Sequence, residues 1–72
     1  MATSTHSARI IGPVAYVHDG KAGHIPVGPC LVERRDSGAV DIIWGARGQR
    51  SASLPASEVK AAEDIGHLVL LD

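Results

Sequence analysis

The stretch Cys30-Leu31-Val32-Glu33-Arg34-Arg35-Asp36-Ser37-Gly38-Ala39-Val40-Asp41-Ile42-Ile43-Trp44 decides the fold. Two runs rich in Val, Ile and Leu flank Asp36-Ser37-Gly38, a turn composition, so the segment reads as a β-hairpin. Parity then sets the register. A two-residue loop at Ser37-Gly38 pairs Arg35 with Val40 and Glu33 with Ile42, which mixes charge into every apolar row. A three-residue loop, with Gly38 in the left-handed position of a bulged turn, pairs Arg35 with Ala39. It places Cys30, Val32, Val40, Ile42 and Trp44 on one face and Leu31, Glu33, Arg35, Asp41 and Ile43 on the other. A slip of one residue would turn every side chain over. The three-residue loop gives the cleaner core. It also sets Glu33 opposite Asp41, a small penalty that Arg35 can offset.

Outward from this hairpin, further strands follow. Arg9 to His18 reads as extended structure, either an edge strand or two pieces broken at Gly12-Pro13. Asp19 to Pro29 reads as a loop, since Asp-Gly opens it and two prolines near its end are unsuited to a central strand. Gly45-Ala46-Arg47-Gly48-Gln49-Arg50 is a turn and Ser51 to Leu54 a short strand. Pro55 to Gly66 predicts one or two helical turns, of α or 3₁₀ type, with Pro55 at the first position and Gly66 as the stop. His67 to Asp72 closes as a strand. Residues 1–8 are small and polar and are expected as a disordered tail. Residues 9–72 form a single domain.

The chain has 72 residues. A domain of that size buries only about 60% of its unfolded surface. Cys30 is the single cysteine, which excludes an internal disulfide and suits a reducing compartment and a small buried hydrophobe. The formal charge of -1 lacks the basic excess of a dedicated nucleic-acid binder. The longest aliphatic run, Leu68 to Leu71, is far short of the ~20 residues of a membrane helix. The polar start, Met1 to Ser7, has no signal-peptide apolar core. A cytoplasmic protein is expected.

Five short strands with a helical turn before the last are expected to curl into a small, partly open β-barrel, because closure removes exposed edges. This order resembles the Src-homology-3-like (SH3-like) barrels: a long loop after the first strand, a tight central hairpin and a helical turn before the final strand. The peptide-binding members carry an aromatic cluster for polyproline ligands. This chain offers only Tyr16 and Trp44. The plasmid-type dihydrofolate reductases are also very short barrels of this class, and Leu54-Pro55-Ala56-Ser57-Glu58-Val59 is similar to their strand running through Pro into a helical turn. Their pore strand reads Val-Gln-Ile-Tyr before that Pro. Here Ser51-Ala52-Ser53-Leu54 stands there, so the similarity implies architecture and oligomerisation rather than that activity.

No constellation demands a particular chemistry. His18, His24 and Cys30 lack zinc-ligand spacing. Ser51, Ser53 and Ser57 lie near Glu58 in sequence, with His67 as a distant partner, but no nucleophile elbow is present. Neither a metal nor a cofactor is implied. The basic turn Gly45 to Ser51 is the best small-ligand candidate, with Trp44 as a stacking surface and Arg47 and Arg50 as anion partners.

The more informative feature is apolar character on both strand faces. A small barrel has one interior, yet Leu31 and Ile43 point away from it, and the last strand splits into Leu68 and Leu70 against Val69 and Leu71. Leu31, Ile43, Val69 and Leu71 are therefore the candidate interface, large enough to imply a partner unless residues 19–29 fold back over it. The expectation is a non-catalytic interaction module that forms a homo-oligomer, most simply a dimer, or binds a protein partner. The alternatives are a nucleic-acid or phosphate binder at the basic turn, and an enzyme whose site is shared between subunits.

Overall fold

A computed structural model describes residues 4–18, 20–45 and 47–71. The elements in order are β1 (Ser4–Ile10), β2 (Val14–His18), β3 (Lys21–Ile25), β4 (Gly28–Arg34), β5 (Ala39–Trp44), β6 (Arg50–Pro55), α1 (Ala56–Asp64) and β7 (Leu68–Leu70). Five strands form one antiparallel sheet in the order β6-β5-β4-β1-β7, and β2 and β3 form a separate two-stranded sheet. The protein is mainly β with one short helix, and its sheets do not close into a barrel. No helix among the described residues is long and apolar enough to cross a membrane.

The central hairpin has the expected register. Leu31 pairs with Ile43, Val32 with Ile42 and Glu33 with Asp41. The Arg35 N–H donates to the Ala39 carbonyl at 3.0 Å, and Gly38 donates to the Arg35 carbonyl at 3.2 Å. Gly38 has φ +88°, the left-handed region that closes such a loop and that side chains resist. Cys30, Val32, Val40, Ile42 and Trp44 are buried. Across the pair, Arg35 reaches Asp41 at 2.6 Å and Glu33 at 3.3 Å, so one guanidinium offsets the two opposed carboxylates.

Three expectations are corrected. The tail does not extend to residue 8: Ser4–Ile10 is a strand held by β4 on one side and by β7 on the other. Ladder hydrogen bonds use backbone groups, so Ser4, Thr5 and Ser7 join without apolar side chains of their own. Met1 to Thr3 lie outside the described residues. The Asp19–Pro29 segment is not one loop, because Lys21–Ile25 pairs with Val14–His18 as a hairpin. Pro29 does belong to a strand with neighbours on both sides. There β4 pairs with β1, while its pairing with β5 begins only at Leu31, so the missing Pro donor falls where β4 has one partner.

The chain breaks at Gly12-Pro13 into two strands on different sheets, which lets β2 and β3 fold over the inner face. Val14 and Ile25 enter the core from that hairpin. Ile10, Val32, Ile42, Leu54 and Leu68 meet them from the large sheet and Val59 from α1. Burying one such aliphatic side chain contributes about 1.5–3 kcal/mol. Tyr16 adds a tilted ring contact to Trp44, with centroids 5.7 Å apart. The helix is a longer α-helix than expected, and Pro55 is its cap rather than its first residue. It ends as foreseen near Gly66, whose N–H donates to the Glu63 carbonyl while His67 donates to that of Ala62, the paired bonds of a Schellman close.

Candidate functional site

The outer face of the large sheet collects the apolar side chains that the core leaves over. Ile43 on β5 stands beside Leu31 on β4, and Leu31 beside Ser7 on β1. The Leu71 N–H donates to the Ser7 carbonyl at 2.8 Å, which carries the row onto the segment after β7. Ile43, Leu31, Ser7 and Leu71 thus form one line across four strand positions, about 14 Å wide at the usual strand spacing. Val69 lies in the next row on the same face, opposite Arg9, which in turn faces Pro29. Leu31 is 42% exposed, Val69 37% and Leu71 59%. Ile43 is half-buried.

Ser7, Leu31, Ile43, Gly45, Gly48 and Leu71 line a shallow hollow of about 490 Å³. Two regions separate in the sequence therefore adjoin. The Gly45–Gly48 turn forms the upper wall of the apolar row, and its Gly48 N–H donates to the Gly45 carbonyl at 3.1 Å. Arg47 sits in this turn, with its backbone N–H donating to Gln49 Oε1 at 3.0 Å. At the other end of the face, Arg35 neutralises Asp41 and Glu33. The β2–β3 hairpin packs on the inner side through Val14 and Ile25, so Lys21–Ile25 does not cover this outer row.

The basic-turn residues are placed less favourably for a shared site. Trp44 is 7% exposed and lies against Tyr16, which leaves little of its ring for stacking. Arg50 pairs with Trp44 across β5 and β6 and borders a hollow of about 290 Å³ with Tyr16, Gln49 and Ser51. Arg47 does not line that hollow. The groups weighed for catalysis are dispersed. His67 is held by its ring, with Nδ1 donating to the Pro13 carbonyl at 2.9 Å. Ser51 and Ser53 are exposed on β6. Among the described residues no three His, Cys, Asp or Glu side chains gather as a metal site. The side chain of His18 lies outside the description. Cys30 is buried, and burial pushes its thiol above its ordinary value, which disfavours the reactive thiolate.

The fold makes two further residues conspicuous, Arg9, which the sequence reading passed over, and Glu58, which it weighed only beside the serines and as part of a solvated face. Arg9 flanks Val69 on the outer face. Glu58 opens α1 beside the β2 edge. The local signal for Glu58 was Pro55, three residues earlier. No protein-family model, no curated protein and no solved structure matches this chain.

Proposed function

We propose that this chain is a non-catalytic interaction module that pairs with a second copy of itself through the outer face of its large sheet. The observation that carries the reading is the row of exposed Leu31 and Leu71 with half-buried Ile43, flanked by exposed Val69, on the face opposite the one that fills the hydrophobic core. A stable interface takes about 800 Å² from each partner, roughly one-sixth of the 4703 Å² surface. A twofold arrangement sets the same row against itself, so each apolar side chain meets its like and no long-range charge match is needed. Two sheets stacked this way lie about 10 Å apart. The likeness to SH3-like barrels belongs to this proposal as well. An open five-stranded sheet with a hairpin folded over it needs one further closure, between β2 and β6, to become such a barrel. A reducing compartment such as the cytoplasm suits the lone Cys30.

Light scattering during gel filtration tests the pairing. At high micromolar concentration the expected mass is twice the 7.5 kDa of the chain, and a clean monomer sinks the reading.

A second reading, phosphate or nucleic-acid binding, rests on Arg50 beside the hollow that Tyr16, Trp44 and Gln49 complete. Quenching or enhancement of Trp44 fluorescence by oligonucleotides at low salt, lost on Arg50→Ala and at higher salt, is its expected signature. An unchanged signal, with no binding by a second probe, removes it.

A further inference from the structure

The outer face of the large sheet carries charge on both sides of its apolar row, and the two sides differ in sign. Along one flank Arg9 stands between Pro29 and Val69. Along the other Glu33 stands opposite Asp41. Each flank lies about 7 Å from the apolar row, the step between alternate residues of a strand. Glu33 and Asp41 share the single guanidinium of Arg35. Two carboxylates against one cation leave that flank with one negative charge. Arg9 is exposed, and no ion pair holds it among the described residues, so its flank keeps one positive charge. The turns extend the same polarity. Arg47 follows β5 at the Arg9 end of the face, and Asp36 follows β4 at the acidic end.

This polarity discriminates between the ways in which one copy can meet another. Pairing a face with itself takes a twofold axis in the plane between the two sheets. An axis along the strands lays basic flank on basic flank and acidic on acidic, which like charges disfavour. An axis along the apolar row keeps that row on itself, reverses the strands and lays each basic flank on the partner's acidic one. The strand lines of the two sheets stay aligned, as in sandwich packing. β1 and β4 are neighbours, about 5 Å apart. Arg9 then stands one strand to the side of the partner's Glu33, across sheets about 10 Å apart. The long arginine stem covers such a step while its head stays at the wet rim.

We propose that two copies of this chain stack about a twofold axis running along the Ile43–Leu71 row, with their strands antiparallel and Arg9 of each subunit paired with the partner's Glu33. This arrangement rests on the self-pairing proposed above and adds which way round the copies sit. It also selects a second copy over a foreign sheet, which would have to offer an apolar row with an anion on one flank and a cation on the other at the same spacing.

Sedimentation equilibrium on wild type, Arg9→Glu, Glu33→Arg and an equimolar mixture of the two variants tests it. Wild type is expected to dimerise, more weakly at about 0.5 M salt than at about 0.05 M, because opposite charges face each other. Each single variant sets like charges at both contacts and weakens pairing about tenfold, the scale of two exposed ion pairs lost at once. In the mixture both contacts join opposite charges again, so mixed dimers regain the wild-type affinity that neither variant has alone. Cooperative thermal unfolding of each variant shows that its fold is kept, and the salt dependence of wild type reads the same contact without any substitution. A monomeric wild type overturns self-pairing and this arrangement together. A wild-type dimer that tightens with salt, or that Arg9→Glu leaves unchanged, overturns the arrangement alone. So does a mixture of wild type with Arg9→Glu that pairs more tightly than the mixture of the two variants, because it places the axis along the strands.

Discussion

Leu31 stands directly opposite Ile43 across β4 and β5, and both side chains point away from the core that their sequence neighbours Val32 and Ile42 fill. In an antiparallel pair this is unavoidable once the register is fixed, because side chains alternate strictly between faces. Two consecutive apolar residues in each strand thus commit the chain to an apolar outer row. On the isolated subunit Ile43 is half-buried, while Leu31 is left 42% exposed and Leu71 59%.

Leu31→Glu is expected to yield a monomer. A charge at the middle of the row must be desolvated against its twin in a twofold pair, which costs several kcal/mol. On the exposed face of the isolated chain the same change is near neutral. Light scattering then reports the 7.5 kDa chain mass, while thermal unfolding of the variant stays cooperative. A variant that remains as large as wild type means the contact lies elsewhere.

The hairpin was legible because charge and apolar residues share its strands, so only one loop length keeps Glu33, Arg35 and Asp41 off the core face. β1 and β3 were not legible. Ser4 to Ser7 and Lys21 to Gly23 carry no apolar alternation, and they are strands because neighbours offer them ladder bonds. The candidate interface was readable from parity alone, since Leu31, Ile43 and Val69 fall on alternate positions of recognisable strands. That Leu71 joins their row needed the β1–β7 pairing, a contact between the two ends of the chain. The hollow beside Glu58 was invisible for a related reason. Its walls come from β2, β6 and α1, and only their packing in space makes Ala15 and Glu58 neighbours.

Arg35→Ala is expected to lower stability by about 1 kcal/mol at low salt. The residue is half exposed, so its ion pairs are worth less than their 2.6 and 3.3 Å distances suggest, and screening reduces them further. What the change leaves behind is Glu33 facing Asp41 with no cation between them. Urea unfolding should therefore show that Asp41→Asn costs less in the Arg35→Ala background than in wild type. The coupling should shrink at 1 M salt. Additive losses that ignore salt would mean that Arg35 acts only by packing its stem.

Gly12→Ala is expected to destabilise through one neighbour. A Cβ built on Gly12 would lie 2.5 Å from the His67 ring, closer than any real contact, and that ring is fixed by its bond to the Pro13 carbonyl. Overpacking of this kind costs about 1–3 kcal/mol, or a fall in Tm of about 4–8 °C for each kcal/mol in a domain of this size. His67→Ala removes the obstacle, so Gly12→Ala should cost markedly less in that background. Equal costs in both backgrounds would place the strain in the backbone and not against His67.

Cys30 makes stability depend on alkaline pH. Burial raises its thiol pKa above the ordinary value of 9.0, so the folded state holds the proton more tightly than the unfolded chain does. The stabilisation from the neutral thiol is complete below about pH 9 and is lost as pH rises from there through the folded-state value, because the unfolded state then releases its proton first. The useful quantity is a difference between two proteins that share every other group. The stability gap between wild type and Cys30→Ala, measured by urea unfolding, should be constant from pH 6 to 8 and narrow above pH 9. The folded protein should also react slowly with an aromatic disulfide at pH 8, at a rate that follows opening of the β1–β4 ladder beside the thiol. A gap that stays constant to pH 10, together with reaction in seconds, would show a thiol that is solvated and not a member of the core.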